Sequence, residues 1–320
     1  MKTDYDALLI VSFGGPERMD DVIPFLENVL RGRNVPRERM LSVAKHYELF
    51  EGVSPINQQN RDLIAALEKE FEREGLRLPI YWGNRNWHPL LPETLRRMAD
   101  DGIQNALAFV TSSYSSYSSC RQYLQNISDA QAAVGPEAPR VEKLRVFYKH
   151  PLFIEANVEQ IRVALDQVGD SAHLVFTAHS IPESMAVNCD YASQLGHTSA
   201  LIARELPIEK WHLVYQSRSG SPMQPWLGPD VCEHLRTLRN EGVTDVVVAP
   251  IGFVSDHMEV VYDLDVEARR VADEIGLKMV RAQTAGTHPS FVKMIRELVM
   301  ERINNEVPAN LCAPDCCRIS

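Results

Sequence analysis

Two short stretches of the sequence place ionisable side chains directly after an apolar run. Residues 177–182, TAHSIP, put His179 at the end of one run, and a neutral imidazole both accepts protons and binds divalent transition metals. Residues 255–259, SDHME, follow another run and bring Asp256, His257 and Glu259 together. This combination of imidazole and carboxylate suits proton transfer beside a bound metal ion.

A purely structural interpretation of the second stretch is also open. Asp256 could be the N-cap of a helix, and Glu259 the capping-box acid three residues later. His257 and Glu259 are two residues apart, so on a regular helix they would point in nearly opposite directions and could not both face one ligand. Only one of them would then need to touch a metal.

Two further strand ends could line a ligand. Residues 12–16, SFGGP, carry two glycines that allow a sharp turn and a close approach to a ligand, although a tight strand-to-helix turn explains them equally well. Residues 111–120, TSSYSSYSSC, are rich in hydroxyl groups and could be a solvated loop. With Tyr123, this region holds three tyrosines, and aromatic faces stack on planar ligands.

The elements that must position these residues alternate along the chain. Short apolar runs at 7–11, 78–82, 106–111, 173–178, 211–216 and 246–251 are each followed by a turn and a helical pattern. Such alternation predicts parallel sheets with helices on both faces, in which ligands bind beyond the carboxyl ends of the strands. Apolar residues at helical spacing predict helices near 63–71 and 260–271.

Length and composition narrow the class of protein. The 320 residues, 45% of them hydrophobic, suffice for two domains, and a boundary is expected near residue 150. A net charge of −10 argues against a nucleic-acid partner. The N-terminus does not resemble a secretion signal, and no apolar run approaches the length of a membrane span, so a cytoplasmic protein is expected. In such a reducing compartment the six cysteines would be buried bystanders or metal ligands.

Several motifs in order resemble the ferrochelatase family along nearly the whole chain. They are SFGGP at 12–16, GVSP at 52–55, TAHSIPES at 177–184, QSRSG at 216–220, PWLGPDV at 225–231 and GFVSDHMEVVYDLD at 252–265. The resemblance implies an α/β enzyme, a lyase that inserts ferrous iron into a porphyrin, with two Rossmann-like lobes and a porphyrin cleft between them. Residues 1–150 plus 286–320 would form the first lobe, with a returning C-terminal helix and cysteine tail, and 151–285 the second.

The resemblance also implies roles for individual residues. His179 matches the family's metal-site histidine and would accept the pyrrole protons and contact the iron. Glu259 matches a carboxylate across the porphyrin plane, backed by Asp256 and His257. Porphyrin contacts would come from a larger set of positions, namely Phe13, Arg31, Arg33, His46, Tyr47, Ser54, Tyr123 and Trp226. Phe13 stands where relatives often have an iron-coordinating tyrosine, and Leu30 and His46 stand where some have arginine.

The cysteines fit a subgroup of the family. Cys120 matches the internal cysteine of members with a two-iron two-sulfur (2Fe–2S) cluster, and the tail supplies Cys312, Cys316 and Cys317. Zinc bound by the same thiolates is the alternative. Cys189 and Cys232 are expected to be bystanders.

The resemblance also indicates a substrate, and alternative substrates and functions remain open. The stretch YSSYSSCRQY at 114–123 resembles bacterial enzymes that insert iron into coproporphyrin III to give coprohaem, with protoporphyrin IX as the alternative. An iron donor or the next haem-pathway enzyme would be a partner. Two other functions remain open: a cobalt or nickel chelatase for a corrin precursor, and a haem-binding or metal-sensing protein without catalysis. Anaerobic turnover with ferrous iron would separate the enzyme from the sensor.

Overall fold

The computed structural model describes residues 4–32, 35–169, 172–206, 208–219, 223–306 and 316–318. The chain divides into two compact units. The first comprises residues 1–111, 122–145 and 295–311, and the second 112–121, 146–294 and 312–320. The expected boundaries were 150 and 286, with the cysteine tail in the first lobe. The division instead groups residues 112–121 and the tail with the second unit.

The grouping of residues 112–121 has a structural reason. The Tyr114 hydroxyl donates to the Ile251 carbonyl at 3.0 Å, and the Ser115 amide donates to Gln194 Oε1 at 2.8 Å. Tyr114 is buried, and its ring meets that of Tyr191 edge to face. Buried polar groups need such partners, so these bonds hold the segment against the second unit.

The strands and helices alternate as the sequence predicts. The strands are β1 Ala7–Ser12, β2 Ile80–Asn84, β3 Asn105–Val110, β4 Arg140–Lys143, β5 His173–His179, β6 Trp211–Gln216, β7 Asp245–Ala249 and β8 Lys278–Arg281. The α-helices are α1 Met19–Val29, α2 Arg37–Glu48, α3 Ile56–Arg73, α4 Leu91–Asp100, α5 Gln122–Val134, α6 Pro151–Leu165, α7 Glu183–Ala186, α8 Tyr191–Glu205, α9 Val231–Asn240, α10 Met258–Val261, α11 Arg269–Glu274 and α12 Pro289–Ile303. Within these helices, none is both long and apolar enough to cross a membrane.

Each unit contains one parallel sheet. The strand order is β2-β1-β3-β4 in the first unit and β6-β5-β7-β8 in the second. All six residues of β1 are buried, and so are six of the seven residues of β5. Strands buried on both faces are typical of parallel sheets covered by helices on each side. The predicted α/β class with two parallel sheets is confirmed.

All six predicted strands are present, but β4 and β8 were not predicted. Each is four residues long and lies at the edge of its sheet. In β4 no residue is fully buried, and charged residues occupy three of its four positions. An edge strand of this kind has no apolar run, so the hydrophobic pattern gives no signal for it.

The helix predicted at 260–271 is not regular. Its apolar residues are buried as expected, but residues Asp263–Ala268 form a π-helix between α10 and α11. The Glu267 amide donates to the Tyr262 carbonyl five residues back, at 3.0 Å. π-helical turns widen a helix locally and are frequent at functional sites.

The last helix is anchored in the first unit by buried ion pairs. Arg296 Nε donates to Glu70 at 2.9 Å, and Arg145 pairs with Glu301 at 2.8 Å. Arg302 donates to Glu142, and its Nη2 also contacts the Tyr5 hydroxyl at 2.8 Å. These charge-assisted bonds fix residues 295–303 to the first unit.

Three histidines form a contact cluster at the amino-terminal end of the second sheet. His173 Nε2 and His212 Nδ1 are 2.8 Å apart, and the rings of His212 and His234 have centroids 4.6 Å apart. His173 and His234 are buried. Burial and the neighbouring imidazoles lower the pKa of His234 to about 4. The pKa of His173 is also lowered, by burial and by the charges of His212 and Lys210, and Glu241 opposes this shift only in part. His173 and His234 are therefore neutral at pH 7.

This cluster predicts a loss of stability in acid. Below pH 6.5 His234 binds a proton in the unfolded chain but not in the folded protein. The contribution of neutral His234 to the free energy of unfolding is therefore complete above pH 6.5 and is lost as the pH falls towards 4. The cost for His234 is about 3 kcal/mol. Urea unfolding from pH 7.5 to 4.5 should show it, and His234→Leu should flatten the dependence. The exposed His88→Leu is the control; an identical slope in all three proteins would contradict the prediction.

Candidate active site

His179 and Glu259 meet at the carboxyl end of the second sheet. His179 is the last residue of β5, and Glu259 is the second residue of α10, which begins after the loop that follows β7. His179 Nε2 lies 3.3 Å from Glu259 Oε1, and the side chains are 29% and 46% exposed. An imidazole and a carboxylate in contact at a solvent-accessible strand end can exchange a proton or bind one divalent cation.

Hydrogen bonds from neighbouring elements fix the backbone of both residues. The Tyr191 hydroxyl donates to the His179 carbonyl at 3.0 Å, and the Ser180 amide donates to the Gln216 carbonyl at 2.8 Å. The Gln216 side-chain amide donates to the carbonyl of Glu259. Gln216, the last residue of β6, therefore links the end of β5 to the start of α10. No role was predicted for it, although it opens the motif QSRSG.

A glycine brings the two strand ends together. The Gly252 amide donates to the Thr177 carbonyl at 3.0 Å. A Cβ atom at position 252 would lie 2.5 Å from the Cβ of Ala178, a distance that ordinary carbon contacts do not reach. The loop after β7 can thus approach β5 only because residue 252 is glycine.

The pair is charged at neutral pH. Burial alone would lower the pKa of His179, but the Glu259 carboxylate, its hydrogen bond and the Ser180 carbonyl raise it to about 9. Burial likewise opposes ionisation of Glu259, whereas His179 lowers the pKa of that carboxyl to about 2. The His179 Nδ1 contacts the Ser180 carbonyl, so the nitrogen facing Glu259 is Nε2. At pH 7 the two groups are an imidazolium and a carboxylate that is partly screened by solvent.

His179 and Glu259 are in direct side-chain contact at this strand end. The resemblance implied that a porphyrin would separate them, but a planar ring between two groups needs about 7 Å, twice an ordinary van der Waals distance. The 3.3 Å contact leaves no such space. The structure therefore shows the two side chains in contact, and their placement across a porphyrin plane stays a prediction.

His257 is not on the helix, which changes its relation to Glu259. It is the N-cap of α10 in an extended conformation, and its ring accepts from the Glu259 amide at 3.3 Å. His257 Nδ1 is also 3.9 Å from Glu259 Oε2. The helical-angle argument that kept these two side chains apart does not apply to a residue outside the helix. Burial lowers the pKa of His257, so its ring is neutral beside the pair.

Asp256 has a different partner from the one expected. It is not the N-cap, and its carboxylate accepts from both terminal nitrogens of Arg281, each at 3.2 Å. Thr284 Oγ1 donates to it as well, at 3.3 Å. Asp256 thus lies three residues from Glu259 in sequence but is bound in an ion pair.

Asp263 is a further titratable group beside the pair, and no role was predicted for it. It follows Glu259 by four residues, a spacing that puts two side chains on one helix face and could have identified it. Ser217, which has a left-handed φ of 63°, donates to its carboxylate. Burial, and to a smaller degree the charges of Glu259 and Glu267, raise the pKa of Asp263 to about 7. Asp263 can therefore hold or release a proton near neutral pH.

Several predicted porphyrin contacts belong to the first unit. The ring of Phe25 meets those of Phe13 and Tyr47 edge to face, at 6.2 and 6.1 Å. Tyr47 is buried, and so is Ser54, which packs against Gly15. Gly14 has a left-handed φ of 81°, and Gly15 approaches Ser54 so closely that a Cβ atom on residue 15 would lie 2.6 Å from the Cβ of Ser54.

Arg85 adds a cation to this end of the first sheet. It follows β2 directly, and its guanidinium lies 4.5 Å from the ring centre of Tyr123 and 5.6 Å from that of Phe13. No role was predicted for Arg85, although a residue just beyond a parallel strand is where ligands bind. Cation–π contacts of this kind hold an arginine beside aromatic rings.

The remaining predicted contacts are more scattered. Arg31 is exposed and hydrogen-bonds Asn28, whereas Arg33 lies outside the described residues. His46 is half-buried, and burial together with Arg39 lowers its pKa. In the second unit, Trp226 is half-buried and pairs by a single backbone bridge with Pro182, close to the end of β5.

Four thiols gather in the second unit. Cys120 and Cys317 are buried, and burial together with the neighbouring thiols of Cys316, Cys120 and Cys189 raises the pKa of Cys317 to about 12. Cys312 lies outside the described residues. Cys232 packs against the apolar core below α9 and, as predicted, is apart from this group. Cys189, expected to be a bystander, is a neighbour of Cys317 instead.

Among the described residues, the metal-ligating side chains, these thiols included, do not form a site of three ligands. Across the part of the chain that the structure describes, no three His, Cys, Asp or Glu side chains are arranged to hold one ion.

Comparison with known proteins agrees with the geometry. The family model described as Ferrochelatase matches residues 5–303. A ferrochelatase of Rhodopirellula baltica is 54% identical, over 98% of this chain and 93% of the relative. A coproporphyrin III ferrochelatase of Streptomyces coelicolor is 48% identical, over the same shares of the two chains.

Solved structures support the fold alone, because their sequence identity is low. The sirohydrochlorin chelatase SirB of Bacillus subtilis subspecies spizizenii, solved with cobalt, aligns with a TM-score of 0.58 at 13% identity and covers 93% of this chain and 95% of its own. The siroheme-biosynthesis enzyme CbiX of denitrifying bacteria aligns with a TM-score of 0.53 at 14% identity, covering 92% of this chain and 98% of its own. With its family model matched over nearly its whole length, the chain belongs to the ferrochelatase family, the metal-chelating lyases that insert ferrous iron into a porphyrin in haem biosynthesis.

Proposed function

We propose that the chain inserts ferrous iron into coproporphyrin III, with His179 and Glu259 as the residues that contact the iron and the pyrrole protons. The observation that carries this proposal is the 3.3 Å contact between the two side chains at the carboxyl end of β5. Relatives from Streptomyces coelicolor and Nocardia farcinica, 48% and 47% identical, are named coproporphyrin III ferrochelatases. Protoporphyrin IX is the alternative substrate.

The chemistry follows from the charges of the pair. A ferrous ion and the proton shared by His179 and Glu259 compete for the same nitrogen and oxygen, so iron binding at the pair requires His179 to lose its proton. Insertion then releases two pyrrole protons from the ring. Once the iron has passed from the pair into the ring, the freed imidazole accepts one of these protons, and the Asp263 carboxylate, with a pKa of about 7, can accept the other.

The choice of porphyrin is tested by an anaerobic assay. Ferrous iron is added to the purified protein with coproporphyrin III or protoporphyrin IX, and absorbance spectra follow metallation. We expect faster metallation of coproporphyrin III, which carries four carboxylates. Preference for protoporphyrin IX would replace the substrate assignment, and binding of either ring without metallation would replace the enzyme with a haem-binding protein.

The thiol group supports a second part of the proposal: Cys120, Cys312, Cys316 and Cys317 hold a 2Fe–2S cluster. Cys317 has a left-handed φ of 53°, and the sulfurs of Cys316 and Cys317 hydrogen-bond to each other. This conformation brings neighbouring residues, whose side chains would otherwise diverge, to one place. Sulfur donors are what an iron–sulfur cluster requires.

Substitution of Cys120 tests the cluster. We expect Cys120→Ser to lose the visible absorption, iron and acid-labile sulfide of the purified protein, because one of the four thiolates is gone. Cys232→Ser, which removes a thiol outside the group, is the matched control and should keep all three. Zinc without sulfide in the wild-type protein would identify the alternative metal, and sulfide retained by Cys120→Ser would exclude Cys120 as a ligand.

The compartment and the partners complete the proposal. A reducing cytoplasm suits cysteines outside disulfides, such as Cys189 and Cys232. An iron donor or the enzyme that next acts on the iron porphyrin is the expected partner. Fractionation of cells, followed by capture of the cross-linked protein, would test the location and the partner together.

A further inference from the structure

Arg281 joins two carboxylates that flank the candidate catalytic glutamate. It is the last residue of β8, and its side chain is only 14% exposed. Arg281 Nε and Nη2 donate to the two oxygens of Asp265 at 2.6 and 2.9 Å. Its Nη1 and Nη2 each contact Asp256 at 3.2 Å. Both carboxylates are thus held by the fork geometry that only arginine provides.

The two acids that Arg281 binds lie on either side of Glu259 in the sequence. Asp256 lies in the loop after β7, three residues before Glu259, and Asp265 lies in the π-helix, six residues after it. The guanidinium therefore fixes both ends of the segment that carries Glu259. The adjoining residues contribute too, since Thr284 donates to Asp256 at 3.3 Å and the Gly286 amide donates to the Val254 carbonyl at 2.7 Å.

Glu259 itself is held less firmly than its surroundings. Its carboxylate is 46% exposed, and it meets His179 at 3.3 Å and His257 at 3.9 Å. Its place against His179 therefore depends on where the backbone of 256–265 runs. Reacting groups displaced by about 1 Å commonly lose 10²-fold in rate, so the support of this segment matters for the reaction.

We propose that Arg281 is a positioning residue for iron insertion, which clasps Asp256 and Asp265 so that the Glu259 carboxylate stays against His179. This inference rests on the proposed function of the His179–Glu259 pair. Arg281 acts through the segment and does not touch the iron or the porphyrin.

The test compares Arg281→Lys and Arg281→Ala with Arg239→Lys. Arg239 also binds carbonyl groups of the second unit, of Ile275 at 2.9 Å and Val243 at 3.4 Å, and is the matched control. We expect kcat for iron insertion to fall at least tenfold in Arg281→Lys, because lysine keeps the charge but cannot fork to two carboxylates. The KM for the porphyrin should change less than twofold, and Arg239→Lys should retain wild-type kcat. Added guanidinium should restore part of the activity of Arg281→Ala.

Other outcomes overturn the inference. Wild-type kcat in a folded Arg281→Lys would show that the clasp is not needed. A parallel loss of kcat in Arg239→Lys would show a general effect on the fold. If Arg281→Ala does not fold, Asp265→Asn, which removes one arm of the clasp, takes its place and should lower kcat alone. If His179→Ala or Glu259→Gln retained iron-insertion activity, the proposed function would be contradicted. If those variants lost activity and Arg281→Lys did not, only the inference about Arg281 would be contradicted.

Discussion

Replacing His179 with alanine is expected to lower the rate of ferrous-iron insertion by about 10²–10⁴-fold, the usual contribution of a positioned acid or base. In the proposed mechanism the variant loses both the imidazole that receives a pyrrole proton and the nitrogen that contacts the iron. The backbone of His179 is fixed by Tyr191 and belongs to a buried strand, so the fold should survive. Porphyrin binding, followed by the shift of its absorbance spectrum, should remain measurable.

The matched control for this variant is His197→Ala. His197 is an exposed residue of α8 in the same unit, where its ring contacts Tyr148. Its loss should change the insertion rate less than twofold. Near-normal turnover in His179→Ala, with porphyrin still bound, would remove His179 from the mechanism.

Replacing Glu259 with glutamine is expected to lower kcat/KM for ferrous iron about 10²-fold and to move its pH dependence. In the wild-type protein the pKa of His179 is about 9, so the imidazole is protonated at neutral pH and iron must displace that proton. kcat/KM for iron should therefore rise from pH 7 towards 9. Without the carboxylate the largest influence that raises the pKa of His179 is gone and that pKa falls, so in the variant the rise should occur at lower pH than in the wild-type protein.

Glu274→Gln is the control for that experiment. Glu274 is the last residue of α11 and pairs with Arg270 at 3.3 Å on the surface. Its removal should leave both the rate and the pH dependence unchanged. The interpretation fails when Glu259→Gln and wild-type protein show the same pH dependence, because the carboxylate would then not control the proton on His179.

The sequence could predict the sheets but not every element around the site. The six longer strands could be predicted because each contains a nearly continuous apolar run, as in β1 and β5. The edge strands β4 and β8 are short and carry charged residues, so they gave no signal. The π-helix at Asp263–Ala268 could not be predicted either, because its apolar spacing resembles that of an ordinary α-helix.

The candidate site shows the same limit. His179 and Glu259 could be found because each lies near the carboxyl end of a strand, but their contact depends on Gly252 and on the loop it places against β5. The extended conformation of His257 and the ion pair of Asp256 with Arg281 involve residues far apart in sequence or off the helix. The spacing of Asp256, His257 and Glu259 in the sequence is compatible with several sets of contacts, and the tertiary structure determines which of them form.

The count of protons released when ferrous iron binds to the porphyrin-free enzyme tests the central claim most directly. Iron is added anaerobically at pH 7 in a weakly buffered solution with a pH indicator. The shared proton of His179 and Glu259 predicts about one proton released per iron bound in the wild-type protein, and none in His179→Ala. Iron binding without proton release in the wild-type protein would contradict the account.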